Sequence, residues 1–361
     1  MKNRDYKDIT KKNVDIKNSN QKKRRLEEVL LEFSRITNDN TASILPRSEY
    51  EEAESYYNYI YKNINDSDFN ITDVTILASN PNLNKIIGNN YETNAKFGLF
   101  LSALINKNIK NEVEVQLNIQ IPIHYLFYKL ENAKAHVNIA GDYLGDRAKN
   151  SKIYAGEAKD NAGLEMQGCE LHVNIAGDYL GRGSKNSVIS ADQAGDTVGL
   201  EMQGCELYVK KAGRYLGYAA KNSKIYAEEV EDDAGYNIRQ CKLHVKKATE
   251  RFGYGAKNSE IYAEEAGNDA GEDLEGCELY IGKTYNLLAY GAKNSKIYAE
   301  EAGNDAGSHM EDSELYIYKL KGWLAESCLK RNNKIYLGKR SYYQHPLRYK
   351  LIGVKKWKKR I

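Results

Sequence analysis

The chain predicts an all-β repeat protein: a single-stranded parallel β-helix with 18-residue coils, preceded by a small helical N-terminal region. Three observations carry this. Cys169, Cys205, Cys241 and Cys277 lie 36 residues apart, with Ser313 next in line, and a fixed period of this size marks an array of like supersecondary units. Positions 145, 163, 181, 199, 217, 235, 253, 271, 289 and 307 halve that period to 18, and all are Gly except Ala289. Within each unit a five-residue run such as "CELYV" or "SKIYA" alternates, with Cys205, Leu207 and Val209 set against Glu206 and Tyr208. Period two places one set inside and the other outside a strand, and five residues are too few for a helix.

Strands this short, recurring every 18 residues, fit one rung of a parallel β-helix whose coils hydrogen-bond at about 4.8 Å. An α-solenoid needs units of roughly 33 to 45 residues with helical stripes. Just before each strand one position holds Asn (Asn186, Asn222, Asn258) or Gly (Gly168, Gly204, Gly276), the residues that best accept a left-handed turn. The Gly column reads as a corner where a Cβ would strike the coil above. After each strand a charged pair alternates in sign: Lys210-Lys211, Glu228-Glu229, Lys246-Lys247, Glu264-Glu265, Gly282-Lys283, Glu300-Glu301. Opposite charges on neighbouring coils attract where like charges would repel, so two coils make the smallest self-compatible tile. Residues 133–312 give ten such coils, on the order of 48 Å of stack. "EVQLNIQI" (113–120) reads as an earlier rung and "NKIYLGK" (333–339) as a later one displaced by an insertion.

The flanks differ from this body. Residues 1–20 are polar and low in complexity and read as a disordered tail. Residues 21–107 form the helical region that seals the first coil: Leu26, Val29, Leu30 and Phe33 have helical spacing. A second helix starts at Ser48 on a capping box with Glu51 and buries Ala53, Tyr57, Ile60 and Ile64; a third spans 93–107. Residues 108–338 are the β-helix and 339–361 a basic tail. The formal charge is +3, yet the tail alone holds nine Lys or Arg and no acid, and residues 1–35 hold eleven bases and six acids, leaving residues 36–338 at −11. No apolar run reaches the roughly 18 residues of a membrane span, and the first thirty residues are charged. The expected location is cytoplasmic, with no membrane association.

Residues 94–245 resemble the GXGXG domain found at the C-terminus of the glutamate synthase large subunit and in one of the subunits of formylmethanofuran dehydrogenase. The resemblance lies in "TNAKFGLFLS" (93–102), in "AGDYLG" (140–145) and in "NIAGDYLGRGSKNSVISADQAGDTVGLEMQGCELYV" (174–209). Lys96 stands where the family usually has Arg, and Asn186 where it often has a second Gly. The resemblance implies a right-handed β-helix, in keeping with the usual hand of parallel crossovers, serving as a scaffold beside catalytic parts. Those parts are not written here: residue 2 is Lys rather than a nucleophilic Cys, and no closely spaced Cys cluster suits iron and sulfur.

No catalytic motif, cofactor site or metal site emerges. The four cysteines face inward on alternate coils, about 9.6 Å apart and beyond disulfide reach, so they read as core. Cys328 lies out of register and is expected to be exposed. The acids of "EEAGNDAG" are the wrong pattern for calcium, because alternate coils present Lys pairs, and too repetitive for a single glycosidase pair. The outward column His136, Tyr154, His172, Ser190, Tyr208, Tyr226, His244, Tyr262, Tyr280, Tyr298, Tyr316 locks rungs by stacking and offers a stripe for a partner; its candidate contact residues are Tyr208, Tyr226, Tyr262, Tyr280, Tyr298 and Tyr316. In the tail, Lys355, Lys356, Trp357, Lys358, Lys359 and Arg360 suit a polyanion such as nucleic acid. The expected function is therefore a non-catalytic scaffold with a protein partner or self-association. The alternatives are an accessory subunit of a glutamate synthase-like or formylmethanofuran dehydrogenase-like oxidoreductase, and a polyanion binder.

Overall fold

A computed structural model of the chain describes residues 21, 23–37, 49–64, 69–80, 82–87, 90–108 and 114–338. Residues 1–20 and 339–361, with both tail expectations, and the Ser48 cap lie outside the described residues. Among the described residues five helices come first: α1 (residues 23–37), α2 (Glu49–Asn63), α3 (Ile71–Ala78), α4 (Leu83–Ile87) and α5 (Tyr91–Asn108). Thirteen strands follow, numbered in chain order from β1 (Glu114–Leu117) and β2 (Lys134–Ile139) to β12 (Glu314–Leu320) and β13 (Lys334–Leu337). All belong to one sheet whose order is the chain order, and every pair is parallel. The predicted fold class stands: one strand per coil, stacked as a parallel β-solenoid behind an N-terminal helical region. Regular neighbours are 18 residues apart, as in Tyr208 beside Tyr226. At the two ends the interval is 20, as in Glu114 beside Lys134 and Glu314 beside Lys334.

The 36-residue tile has a steric cause inside the coil as well as an electrostatic one outside. Along the strand, Val209, Ala227, Val245, Ala263, Ile281 and Ala299 alternate large and small up the stack. At the opposite wall the alternation runs in complementary pairs: Leu216 with Ala220, Ala234 with Ile238, Phe252 with Ala256, Ala270 with Leu274, Leu288 with Ala292, all buried. Each bulky side chain thus lies over a small one on the next coil, which lets the layers interdigitate without voids.

The turn wall is also hydrogen-bonded from coil to coil. The Tyr143 amide donates to Asp160 O (2.9 Å), Gly145 to Leu126 O (2.8 Å) and Arg147 to Leu164 O (2.8 Å), alternating between the coil above and the coil below. Alternate residues here sit in the left-handed region: Tyr143 at φ 63°, Gly145 at 66° and Arg147 at 55°, with Asn150 at 46° before the strand. The Asn/Gly turn is as predicted. For the glycine corner the reason differs from the one expected: a Cβ on Gly217 would lie 2.4 Å from Cδ1 of Ile225, an interior side chain eight residues on, rather than against the coil above.

Helix α5 takes the place of a missing coil at the N-terminal end. Asn94 accepts from the His124 amide (2.8 Å) and donates to Pro122 O (2.9 Å); Ser102 accepts from the Tyr128 amide (3.2 Å) and donates to Tyr125 O (2.9 Å). Asn106 donates to Tyr128 O (3.0 Å). These polar side chains, carried on a largely buried helix, answer the edge that the first coil would otherwise leave open. The predicted faces of α1 and α2 are buried at Val29, Phe33, Ala53, Tyr57, Ile60 and Ile64. Helices α3 and α4 are additions to the sequence reading; α3 begins on a reciprocal cap between Asn70 and Asp73.

Cys328 is a correction. It is fully buried, in a 3-10 turn (Glu326–Leu329) of the last coil, with its Cβ beside the Gly307 corner. In this longer coil Ala325 and Cys328 turn inward while Trp323 and Leu329 stay exposed, so register with the other cysteines is no guide to burial.

Candidate functional site

The outer face of the strands carries the predicted aromatic column as a stack, broken at Ser190 and loosened at His244, whose ring lies 6.3 Å from Tyr226 and 6.0 Å from Tyr262. Centroids are 4.6 Å apart for His136 and Tyr154, 5.1 Å for Tyr208 and Tyr226, 4.7 Å for Tyr262 and Tyr280, and 4.8 Å for both Tyr280–Tyr298 and Tyr298–Tyr316. The column runs one rung beyond the prediction, to Tyr336, 4.5 Å from Tyr316. At Ser190 it is interrupted, and the hydroxyl there hydrogen-bonds His172 Nδ1 (2.5 Å). Each strand offers its ring at the same height, so ring planes are nearly parallel and their faces are taken by neighbours. Edges and hydroxyls are what remain for solvent.

Those hydroxyls are held. Tyr208 donates to Glu206 (2.8 Å), Tyr280 to Glu278 (2.9 Å), Tyr316 to Glu314 (2.7 Å), and Tyr262 to Glu260, in each case the acid two residues earlier on the same strand. Burial first, then the donated bond to a carboxylate, pushes these four phenols above their ordinary pKa. Acid–base rows flank the stack: Lys224–Glu206 at 2.8 Å, Lys242–Glu260 at 2.6 Å, Lys152–Glu170 at 2.6 Å and Lys334–Glu314 at 3.0 Å. The predicted alternation after the strands appears as Lys211–Glu229 (3.0 Å), Lys246–Glu228 (3.5 Å) and Lys319–Glu301 (3.1 Å). Such exposed pairs are each worth about 0.2–1 kcal/mol and act as a register code more than as glue.

Three further columns escaped the sequence reading. Ser187, Ser223, Ser259 and Ser295 lie one coil after Cys169, Cys205, Cys241 and Cys277, and each hydroxyl accepts the amide of that Cys at 3.1 Å. The thiols of Cys205, Cys241 and Cys277 donate to main-chain carbonyls, and burial pushes them up, which keeps them protonated and inert. At the turn, Asp142, Asp160, Asp178 and Asp196 each clip the next coil by accepting its amide, at 3.2, 3.0, 2.8 and 2.8 Å. The amide and guanidinium of Arg214 hold Asp196 below the usual carboxylate range. Tyr218, Tyr236 and Tyr254 form a second, shorter aromatic group on the turn wall, with Tyr236 and Tyr254 stacked at 4.8 Å. The signal for all three was the same 18- or 36-residue spacing.

Two carboxyls, Asp146 and Asp233, are almost wholly buried with an Oδ1 that has no hydrogen-bond partner, and burial raises the pKa of both; Arg251 bridges the other oxygen of Asp233 at 2.7 Å. Asp146 is 1 % exposed, its Oδ1 has no hydrogen-bond partner, and burial pushes its pKa up to about 7. Arg147 and Lys129 pull the other way, and Glu165 and Glu54 add to the rise. Glu54 of α2 itself bridges Lys129 (2.6 Å) and Arg147 (2.7 Å), so this carboxyl lies under the seam between α2 and the first coils. Because its folded pKa lies above the unfolded value of about 3.9, the contribution of Asp146 to stability is fully present below pH ~4, is lost as pH rises towards 7 and is level beyond. Asp146→Asn is expected to flatten that slope and to raise unfolding stability at pH 8 by about 2–4 kcal/mol, read from urea midpoints at pH 5 and pH 8. An unchanged slope would remove Asp146 as its source.

The candidate residues Lys355, Lys356, Trp357, Lys358, Lys359 and Arg360 lie outside the described residues. Among the described residues no group of three or more His, Cys, Asp or Glu is placed to hold a metal ion, and no helix is long and apolar enough to cross a membrane. Compared with family models, curated proteins and solved structures, the chain shows no match.

Proposed function

We propose that this chain is a non-catalytic scaffold, related to the GXGXG domain, whose β-helix organises a protein assembly. The observation that carries the reading is the unbroken aromatic stack from Tyr262 to Tyr336, flanked by paired charges. Its outward groups repeat coil after coil, which suits an extended contact and not a single reacting spot. Stacked rings and satisfied hydroxyls make the wall rigid before any partner arrives, which lowers the ordering cost of association. A second reading, an accessory subunit of a glutamate synthase-like or formylmethanofuran dehydrogenase-like oxidoreductase, draws on α5: the stretch that carries the resemblance is the one that seals the first coil. Binding of a polyanion through the basic tails remains a proposal from sequence alone.

The test is native co-purification with the full chain and with Tyr226→Ser/Tyr262→Ser/Tyr298→Ser. These changes remove the ring contacts between Tyr208 and Tyr316, at about 0.5–1.5 kcal/mol each, so the melting temperature drops while the far-UV spectrum at 25 °C is kept. Partner recovery is expected to fall at least tenfold. Undiminished recovery sinks the stripe as the contact face, and an oxidoreductase among the captured proteins favours the second reading.

A further inference from the structure

We propose that the open edge of β13 receives an extended, acid-bearing segment of a partner protein as a fourteenth strand; this rests on the scaffold reading and assigns it a docking edge. Among the described residues β13 pairs on one side only, with β12, as β1 does with β2, but β1 lies against α3. The two ends of the stack are unlike. Asn94, Ser102 and Asn106 of α5 answer the first coil, whereas the last coil leaves Trp323, Leu329 and Leu337 exposed at 61, 72 and 46 %. Lys334 and Gly338 direct their amides to Ser313 O and Ile317 O of the preceding coil. By the alternation of a parallel ladder, Ile335 and Leu337 direct theirs to the open side. A row of free donors beside exposed apolar groups is a template for strand addition.

Charge selects the occupant. The row that follows the strands alternates in sign from Lys211 to Lys319, while the row that opens them also sets like beside like, Lys224 by Lys242 and Glu260 by Glu278; at this end both finish on bases, Lys334 on Glu314 and Lys319 on Glu301. Residues 318–338 hold five bases and one acid. An acidic strand is the electrostatic complement of this basic end. A second copy docked on the same edge would bring these bases together, and residues 339–361 carry nine bases and no acid, so neither matches as an acidic segment does. Position by position the strand needs an acid over Lys334, an apolar residue over Ile335, an aromatic ring over Tyr336 and an apolar residue over Leu337. The chain writes that pattern itself as Glu-Leu-Tyr-Ile at 278–281 and 314–317.

The experiment titrates full-length protein against two fluorescein-labelled peptides, Ser-Glu-Leu-Tyr-Ile-Glu and Ser-Lys-Leu-Tyr-Ile-Lys, by anisotropy. The acidic peptide is expected to bind at least tenfold more tightly. Ile335→Pro removes an outward amide and none of the bonds to β12, and is expected to abolish binding. Lys330→Glu/Lys334→Glu, which leaves the edge amides in place, is expected to reverse the peptide preference. Three results would overturn the proposal: no acidic preference, equal binding to Ile335→Pro, or occupation of the edge by the chain itself. The last would show as a sedimenting dimer dissolved by Ile335→Pro, or as cross-links from Lys334 to residues 339–361. A partner that co-purifies equally with Ile335→Pro sinks the edge and leaves the scaffold reading intact; no partner with either protein sinks that reading.

Discussion

Gly98→Val is expected to unseat α5 and lower the unfolding free energy by about 4 kcal/mol or more. A Cβ at position 98 would lie 1.8 Å from the carbonyl oxygen of His124 and 3.0 Å from its carbon, both main-chain atoms that cannot swing aside. The helix must retreat, and with it go the bonds of Asn94 and Ser102 to the first coil. Several buried donors and acceptors then lose their partners, each at about 1–3 kcal/mol. Guanidinium unfolding gives the loss, and hydrogen exchange locates it: protection should vanish around residues 114–150 first, because coils in a stack depend mainly on their nearest neighbours. Wild-type protection there would show that the helix accommodates the side chain.

The second large effect is expected at the glycine corner in mid-stack. Gly235 has φ +77°, and a Cβ there would lie 2.3 Å from Cδ2 of Leu243. Valine adds a left-handed β-branched residue, at about 1–3 kcal/mol, to overpacking of similar size, for a total of about 3–5 kcal/mol. Alanine should cost far less, since Ala289 occupies the same column at φ 60°. Chemical denaturation of both variants checks the ranking; equal losses would mean that the Cβ, through strain and its approach to Leu243, sets the whole cost and the γ-methyls of valine add nothing.

Much of this architecture was legible in the sequence because solenoid geometry acts on every coil alike. The left-handed turn before each strand favours Gly or Asn, inward positions demand apolar residues, and the row after the strands alternates in charge, so each preference surfaces as a column. What lacked a legible sign was chemistry that does not distinguish inside from outside by residue type. Ser223 looks like a surface residue yet is buried as the acceptor for Cys205. Tyr215 at φ 61° violates the expectation that left-handed positions go to small residues, because coil-to-coil bonds on both sides hold it there. The seal was half legible: the apolar face of α5 could be read, but the role of Asn94 and Ser102 depends on carbonyls some 30 residues away. Cys328 was misplaced because the insertion that displaces it also folds it inward. For the candidate site, the aromatic column was read correctly as a column, while the orientation of its rings, faces inward to one another, needed three dimensions.

The interlocking of Phe252 with Ala256 and of Ala270 with Leu274 on the following coil has a consequence for how such a chain can change in length. Excising or duplicating a single 18-residue turn would set Leu above Phe and alanine above alanine, creating a bulge beside a hole. Two turns moved together restore the fit. Growth and shrinkage of this molecule are therefore quantised in even steps, and the near-identical stretches at 255–271 and 291–307 lie one such step of 36 residues apart.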